Sequence, residues 1–260
     1  MKVIDVMQAV ERTAPLQLQE EFDNSGLQLG APGAEVHKVL TCLDITGEIV
    51  AEAVTRGCDM IVSHHPLLYH PLRQVSDAAW QQRCVVSAIK QDIAIYSAHT
   101  SLDNAPGGVN TRLAELIGLQ QLEWLQPKPG TDGGSGVAGT LPKPVDEEVF
   151  LCMLKERFMV ESLRHTAPTG RRIHKVAVCG GSGGFLLGDA LRHGADCFVT
   201  GEFHYHDFFD NEGMLLAELG HYQSERCTVS LLRELIEAAL PGLEVVETLL
   251  NTNAIRYDSF

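Results

Sequence analysis

The sequence predicts an α/β protein of two related domains, each with a largely parallel or mixed sheet. Three observations lead to this fold class. Short runs of β-branched and apolar residues alternate with helical patterns between residues 36 and 98, as in βαβ units. Part of this first half recurs in the second half at a constant spacing. A segment rich in Pro and Gly, residues 125–144, separates the two halves.

The elements of the first half follow each other in regular order. The predicted strands and helices are VHKVLTCLDI (strand), GEIVAEAVTRG (helix ending at Gly57), CDMIVSHH (strand), residues 77–91 (helix) and IAIYSAH (strand). Functional groups gather at the carboxyl ends of parallel strands. His64, His65 and His99 all lie at such ends.

The second half repeats this pattern 137 residues later. The matching pairs are HKV at 37–39 with HKV at 174–176, Cys42 with Cys179, Gly57 with Gly194, Asp59 with Asp196 and Val62 with Val199. An ungapped repeat of this kind indicates two related α/β halves. On this alignment Glu202 is the counterpart of His65. The predicted organisation is a domain over residues 1–124, a linker over 125–144 and a second domain over 145–260.

Composition excludes several classes of protein. The net charge of −14 disfavours bulk binding of nucleic acid. The apolar runs are much shorter than the roughly 20 residues that a membrane span needs. The seven cysteines are odd in number and never form a C-x-x-C pair, so they are interpreted as reduced core residues of a cytoplasmic protein.

The adjacent residues His64 and His65 in MIVSHHPLLYHPL are candidate metal ligands. Neighbouring side chains of a regular strand point to opposite faces, so two adjacent histidines suit two metal ions better than one. Pro66 favours an extended conformation at His65 and ends the strand. The alternative is that one ring binds a carbonyl group and the other is solvated.

Two further segments add metal-ligating residue types. YSAHTSLDNAPGGVN carries His99 and Asp103 and ends at Asn110, which is the expected N-cap of the following helix. The alternative for Asp103 is an Asx-type turn. GHYQSE places His221 and Glu225 four residues apart, hence on one helix face, where a simple surface hydrogen bond is the alternative.

Two more motifs suggest substrate-binding or acid/base groups. CGGSGG at 179–184 lies between a strand and a helix, where it could bind phosphate or form only a tight turn. TGEFHYHD contains Glu202, His204 and His206 in alternation, on one side if the segment is extended. These groups could transfer protons or bind substrate, or they could belong to an exposed polar loop.

Six motifs occur together in register, namely DNSGLQLG, SHHP, HTSLDNAPGGVN, CGGSGG, TGEFHYHD and GHYQSE. On these motifs the chain resembles the GTP cyclohydrolase 1 type 2 homologue family, or NGG-interacting-factor-like family, over essentially its whole length. The resemblance implies two similar α/β domains, a dinuclear metal site in the cleft between them and a ring-shaped homohexamer. It further implies five metal ligands: His64 and Asp103 on one ion, His65 and His221 on the other, and Glu225 bridging.

The expected cofactors are two divalent ions per chain, for which Zn, Mn, Fe, Co and Ni are all suitable. The expected function is metal-dependent hydrolysis of a nucleotide or another phosphorylated small molecule, with GTP ring opening implied by the resemblance. His99, Glu202 and His206 are the candidates for proton transfer. The alternative is a non-enzymatic metal-binding protein with a regulatory or interaction role.

Overall fold

Strands and helices alternate along most of the chain in the computed structural model, which describes residues 1–258. The strands are β1 (Gly26–Leu29), β2 (Lys38–Cys42), β3 (Met60–Ser63), β4 (Ala94–Ser97), β5 (Gln120–Pro127), β6 (Gly134–Asp146), β7 (Arg164–His165), β8 (Arg172–Cys179), β9 (Cys197–Thr200), β10 (Leu215–Glu218) and β11 (Glu244–Glu247). The α-helices are α1 (Val3–Glu11), α2 (Gly47–Thr55), α3 (Trp80–Lys90), α4 (Thr100–Asp103), α5 (Val109–Ile117), α6 (Glu147–Phe158), α7 (Leu187–Arg192), α8 (His221–Glu225) and α9 (Thr228–Ala239). Short 3-10 helices cover Leu16–Leu18, Gly184–Leu186 and Tyr205–Phe209.

The first of two structural units contains residues 1–102 together with the described residues from Thr228 onward. Its sheet has the strand order β1-β4-β3-β2-β11. Only β1 runs antiparallel to its neighbour, and the other pairs are parallel. Residues of the three central strands are buried against α2 and α3, with Leu40, Ile61 and Ile95 completely inaccessible to solvent. The carboxyl ends of β2, β3 and β4 therefore lie side by side.

The second unit contains residues 103–227, and its sheet has the order β5-β6-β8-β9-β10-β7. The central strands β8, β9 and β10 are parallel, and the outer pairs are antiparallel. Its core includes Ala177, Phe198 and Leu216 from those central strands. The predicted α/β class with largely parallel or mixed sheets is thus confirmed.

The repeat of 137 residues is also visible in the hydrogen bonds. Oδ2 of Asp59 accepts from the amides of residues 37 and 38 at 2.7 and 3.0 Å. Oδ2 of Asp196 accepts from the amides of residues 174 and 175 at 2.9 and 2.8 Å. In each unit a carboxylate at the start of one parallel strand thus caps the amides at the start of its neighbour. The matching sequence positions therefore perform the same structural task.

Residues 125–144 differ from the predicted linker, because they lie largely in the antiparallel pair β5 and β6. Gly134 and Gly139 in this segment allow β5 and β6 to pack closely. A Cβ atom at Gly134 would lie 2.7 Å from the carbonyl oxygen of Gln126, and one at Gly139 would lie 2.6 Å from Leu122. Instead of a boundary near residue 125, the chain passes from the first unit to the second after Leu102 and returns after Cys227.

The cysteines are free thiols, and all seven lie within the described residues. Five of them are buried, as expected of core residues, whereas Cys152 is exposed and Cys227 is half-buried. Among residues 1–258, no helix combines the length and the apolar character that crossing a bilayer requires.

A buried carboxylate in the second unit leads to a stability prediction. Glu147 accepts hydrogen bonds from the amides of Thr169 and Gly170 and from the Thr169 hydroxyl, at 2.7–2.9 Å. Burial alone would raise the pKa of this carboxyl, but these hydrogen bonds lower it below its usual value. Glu147→Gln should reduce the free energy of unfolding by about 1–3 kcal/mol at pH 7.

Because the pKa of Glu147 is lowered in the folded state, its stabilisation is complete above the unfolded pKa of about 4.3 and declines as the pH falls below it. Between pH 7 and pH 3.5, urea denaturation should therefore show a difference in unfolding free energy between wild type and Glu147→Gln that is constant down to about pH 4.3 and narrows below it. Glu148→Gln, at the exposed neighbouring position, is the matched control and should leave stability unchanged. A constant gap between wild type and Glu147→Gln across this pH range would contradict the prediction.

Candidate metal centre

His64 and His65 directly follow β3, which ends at Ser63. Their amides still bond to the carbonyls of Cys42 and Leu43, at 3.2 and 2.9 Å. The two rings nevertheless lie near each other, with centroids 5.0 Å apart. Since the strand ends before them, the alternation of a regular strand does not separate their side chains. The assignment of the two rings to different ions therefore stays a prediction.

His99 joins this pair from the end of the neighbouring strand β4. One ring nitrogen from each of His64, His65 and His99 lies within 4.8 Å of the others, as in a group that could hold a metal ion. The position of His99 thus makes it a possible ligand as well as the predicted proton-transfer residue. The parallel register of β3 and β4, which pairs Ser63 with Ser97, brings these rings together.

Each of the three rings is oriented through its Nδ1 atom. His64, which is completely buried, bonds to the carbonyl oxygen of Ala98 at 2.8 Å. His65 bonds to Oδ1 of Asp44 at 2.7 Å, and His99 bonds to Oδ1 of Asp23 at 2.6 Å. Metal-ligating histidines typically use one ring nitrogen in this way, and the bond sets the tautomer and the ring orientation. Nε2 is then the ring nitrogen that would bind a metal.

Asp23 is the most heavily hydrogen-bonded carboxylate of this group, and its side chain is fully buried. Besides His99, it accepts from the Ser25 hydroxyl at 2.7 Å and from both the amide and the hydroxyl of Thr100. Burial opposes ionisation, but the bonds from His99, Thr100 and Ser25 dominate and hold the pKa of Asp23 well below its usual range. Asp23 is therefore an ionised carboxylate that orients His99.

Asp23 and Asp44 are functional candidates that the sequence reasoning missed. Asp44 follows β2, next to β3 in the sheet, so the rule that polar groups gather at carboxyl ends of parallel strands could have found it. Asp23 lies in DNSGLQLG, which contributed to the family resemblance without an assigned role. Its pairing with His99 spans 76 residues and has no local sequence signal.

Asp23→Asn should lower the free energy of unfolding by about 2–3 kcal/mol, because an amide cannot accept all the hydrogen bonds that the buried carboxylate receives. Urea denaturation would measure this loss. Ser25→Ala removes a single donor to the same carboxylate and should have an effect of about 1 kcal/mol. Equal losses of unfolding free energy in the two variants would show that the hydrogen bonds around Asp23 do not depend on its negative charge.

In the second unit, His221 and Glu225 face each other as predicted. Both belong to α8, and Nε2 of His221 lies 3.0 Å from Oε2 of Glu225. Nδ1 of His221 lies 3.2 Å from Oε1 of Glu202, whose other oxygen accepts from the Ser182 hydroxyl at 2.7 Å. Glu225 is buried, whereas Glu202 is exposed. One imidazole therefore contacts a buried and an exposed carboxylate.

Asp103 is the last residue of α4, and its backbone is fixed by Asn110. The Asn110 amide group donates to the carbonyl of Asp103 at 2.9 Å, and its oxygen accepts from the amide of Gly180 at 3.0 Å. The prediction that Asn110 is an N-cap was wrong: α5 begins at Val109 with Gly108 as its N-cap. The Asn110 side chain is instead buried and ties Asp103 to the glycine-rich turn.

Three backbone amides of the glycine-rich turn CGGSGG donate hydrogen bonds to side chains of the protein. The amides of Gly180, Gly181 and Gly183 donate to Asn110, to the Ser224 hydroxyl and to the Thr200 hydroxyl, each at 3.0 Å. These three amides are therefore engaged in a tight turn, which favours that interpretation over phosphate binding. Gly181 has a φ of +58°, and a Cβ there would lie 2.3 Å from Oε1 of Glu225. The turn thus leaves room for that carboxylate.

His206 does not share the environment of Glu202. The segment Tyr205–Phe209 forms a 3-10 helix, so the alternation expected of an extended chain does not apply. His206 is exposed, and its ring contacts are with Tyr205 and Phe209. Glu202 lies before this helix, and its amide bonds to the carbonyl of Gly181 at 2.9 Å. His204 caps the helix, where its amide donates to Asp207.

Comparisons with known proteins identify the family of this chain. The chain is 34% identical to a GTP cyclohydrolase 1 type 2 homolog of Clostridium perfringens, over 86% of this chain and 87% of that protein. It is 32% identical to the protein of the same name from Lactococcus lactis, over 97% and 98%. The crystal structure of the Staphylococcus aureus hypothetical protein SA1388 matches with a TM-score of 0.91 at 27% identity, over 99% of both chains. The profile of the Duf34/NIF3 (NGG1p interacting factor 3) family matches residues 1–254, and the chain therefore belongs to this family.

Proposed function

We propose that this protein binds two divalent metal ions and uses them to hydrolyse a nucleotide or another phosphorylated small molecule. One observation carries the proposal. Ring nitrogens of His64, His65 and His99 converge within 4.8 Å, and each ring is held through Nδ1 by a carbonyl or carboxylate oxygen. We assign His64 and His65 as metal ligands and His99 as the proton-transfer residue beside them. Such preoriented imidazoles are typical of metal ligands.

The proposed ligands are His64, His65, Asp103, His221 and Glu225. The family resemblance supports this set and the bridging role of Glu225. A donor set of imidazoles and carboxylates fits Zn, Mn, Fe, Co or Ni. When bound, ions of this kind acidify water and polarise an electrophilic substrate.

The protein's own acid/base groups complete the proposal. Asp23 fixes the Nδ1 proton of His99, so that the ring can accept or donate a proton at Nε2. Glu202 is exposed and next to His221, where it could serve as a general base. His206 is the third candidate, with an exposed ring that suits contact with a bound substrate. His99 is the strongest of the three because its partner is buried and charged.

The proposed substrate class is supported by the names of the relatives, which include GTP cyclohydrolase 1 type 2 homolog. Addition of one water at C8 would open the imidazole ring of guanine to a formylamino product, and hydrolysis of that amide by a second water would release formate. Hydrolysis of a phosphoester is the other reaction that we consider. We also propose, on the family resemblance, a cytoplasmic homohexamer. Size-exclusion chromatography with light scattering tests that assembly, and a mass other than six chains would refute it.

The experiment begins with elemental analysis of the purified protein, followed by incubation of the metal-loaded protein with GTP and a panel of nucleotides and phosphorylated metabolites. Mass spectrometry and a formate assay would detect the products. His99→Asn should abolish turnover while His206→Asn reduces it less. Absence of turnover on every substrate, together with a fall in the melting temperature on chelation, would refute the hydrolase and leave a metal-binding regulatory protein.

A further inference from the structure

The C-terminal segment after β11 is anchored to the first unit at several points. The amide of Thr248 donates to the carbonyl of Thr41 at 2.9 Å, and the amide of Leu249 donates to Glu52, also at 2.9 Å. Four residues beyond Thr248, the Thr252 hydroxyl donates to Oδ2 of Asp44 at 2.6 Å. The segment therefore reaches the carboxylate that orients His65.

These contacts form a continuous chain from Thr252 through Asp44 to His65. One carboxylate oxygen of Asp44 accepts the Thr252 hydroxyl proton, and the other faces Nδ1 of His65 at 2.7 Å. A hydrogen bond at each of the two oxygens restrains the plane of the carboxylate. Thr252 is also β-branched, so its hydroxyl is confined to few rotamers. The Thr252 hydroxyl thus restrains the Asp44 carboxylate, which in turn orients the His65 ring.

The three histidines differ in how firmly the partner of each Nδ1 atom is held. His64 bonds to a backbone carbonyl, which the sheet already holds, and His99 bonds to a fully buried carboxylate with several donors. Asp44, in contrast, has a side chain that is 34% exposed. Water can reach this carboxylate, so a protein donor at its second oxygen matters more for its orientation than it would in a buried network.

We propose that Thr252 is a positioning residue for His65, which it orients through Asp44, and that it thereby strengthens the binding of one metal ion. The inference rests on the proposed function, because that proposal makes His65 a metal ligand. Loss of an outer partner of a metal-ligating histidine weakens metal binding by about 10–100-fold, which is the effect we expect of Asp44→Asn. Thr252 acts one hydrogen bond further from the metal, so Thr252→Val should weaken the binding of one of the two ions by about 3–10-fold.

The test compares Thr252→Val, which keeps the shape and removes the donor, with Thr252→Ser, which keeps the donor. Asn251→Ala is the matched control. Asn251 is exposed in the same segment, and its side chain bonds to the amide of Asn253. Zinc affinity would be measured by chelator competition on the full chain. The tautomer of His65 would be read from ¹⁵N chemical shifts of the metal-free protein.

We expect Thr252→Val to lose affinity for one ion and to show a mixture of His65 tautomers, with Thr252→Ser and Asn251→Ala close to wild type. Wild-type affinity for both ions and an unchanged tautomer in Thr252→Val would overturn the inference. Thr252→Ala provides the same comparison if the valine variant does not fold. If the wild type binds no zinc, the proposed function fails, whereas the tautomer of the metal-free protein still tests whether Thr252 orients His65.

Discussion

Gly181→Ala should reduce the metal content from two ions per chain to one or none. The new Cβ atom would lie 2.3 Å from Oε1 and 3.1 Å from Cδ of Glu225, so the carboxylate must move. Because this is the flexible end of a long side chain, the movement itself has little effect on folding. It displaces the atoms proposed to bind the metal. Elemental analysis of the purified variant would measure the loss.

Gly194→Ala is the matched control for backbone strain. Gly194 has a φ of +67°, similar to the +58° of Gly181, and a Cβ there would meet no atom within 4 Å. Both variants should lose about 1–2 kcal/mol of stability, the typical effect of a left-handed alanine. Only Gly181→Ala should lose metal. Equal metal content in the two variants would show that Glu225 tolerates displacement or is not a ligand.

Glu225→Ala should likewise leave zero or one ion per chain, because the proposed bridging ligand contributes to both ions. Glu225 is only 3% exposed, and its Oε2 atom lies 3.0 Å from Nε2 of His221. Removal of the Glu225 carboxylate therefore deletes one proposed ligand and takes away the partner of a second, His221. Elemental analysis gives the number of ions, and isothermal titration with zinc gives the affinity of any that remain.

Glu202→Gln provides the control for Glu225→Ala. Glu202 contacts the other ring nitrogen of His221 at 3.2 Å, but it is exposed and is not among the proposed ligands. This variant should keep two ions while it lowers turnover. Two ions at full occupancy in Glu225→Ala would be incompatible with a bridging Glu225, whatever reaction the protein catalyses.

Local patterns predicted much of the fold correctly. Alternating apolar runs identified the central parallel strands, and the repeat identified their counterparts in the second half. The repeat was informative because it preserves Asp59 and Asp196, whose hydrogen bonds join neighbouring strands. The spacing of His221 and Glu225 also translated directly into a contact, since both lie on one short helix.

Long-range features could not be read from the same patterns. Nothing local in α9 or β11 indicates that they return to the first sheet, where β11 pairs with β2. The Gly-rich segment 125–144 resembles a linker by composition, although its glycines are required by close strand packing. Similarly, the partner of His99 is a carboxylate in a distant loop, and only the folded chain brings Asp23 to it.

The insertion of the second unit within the first has a consequence for biosynthesis. On the order of 200 residues separate the paired strands β2 and β11, so a ribosome must synthesise all of them before this pairing can form. During translation the β2 edge presents unpaired amides and carbonyls next to apolar residues, which is a typical starting point for aggregation. The strands of the second unit, in contrast, all come from one continuous segment, so their pairing does not depend on β11. Truncation before β11 should therefore destabilise the first unit more than the second.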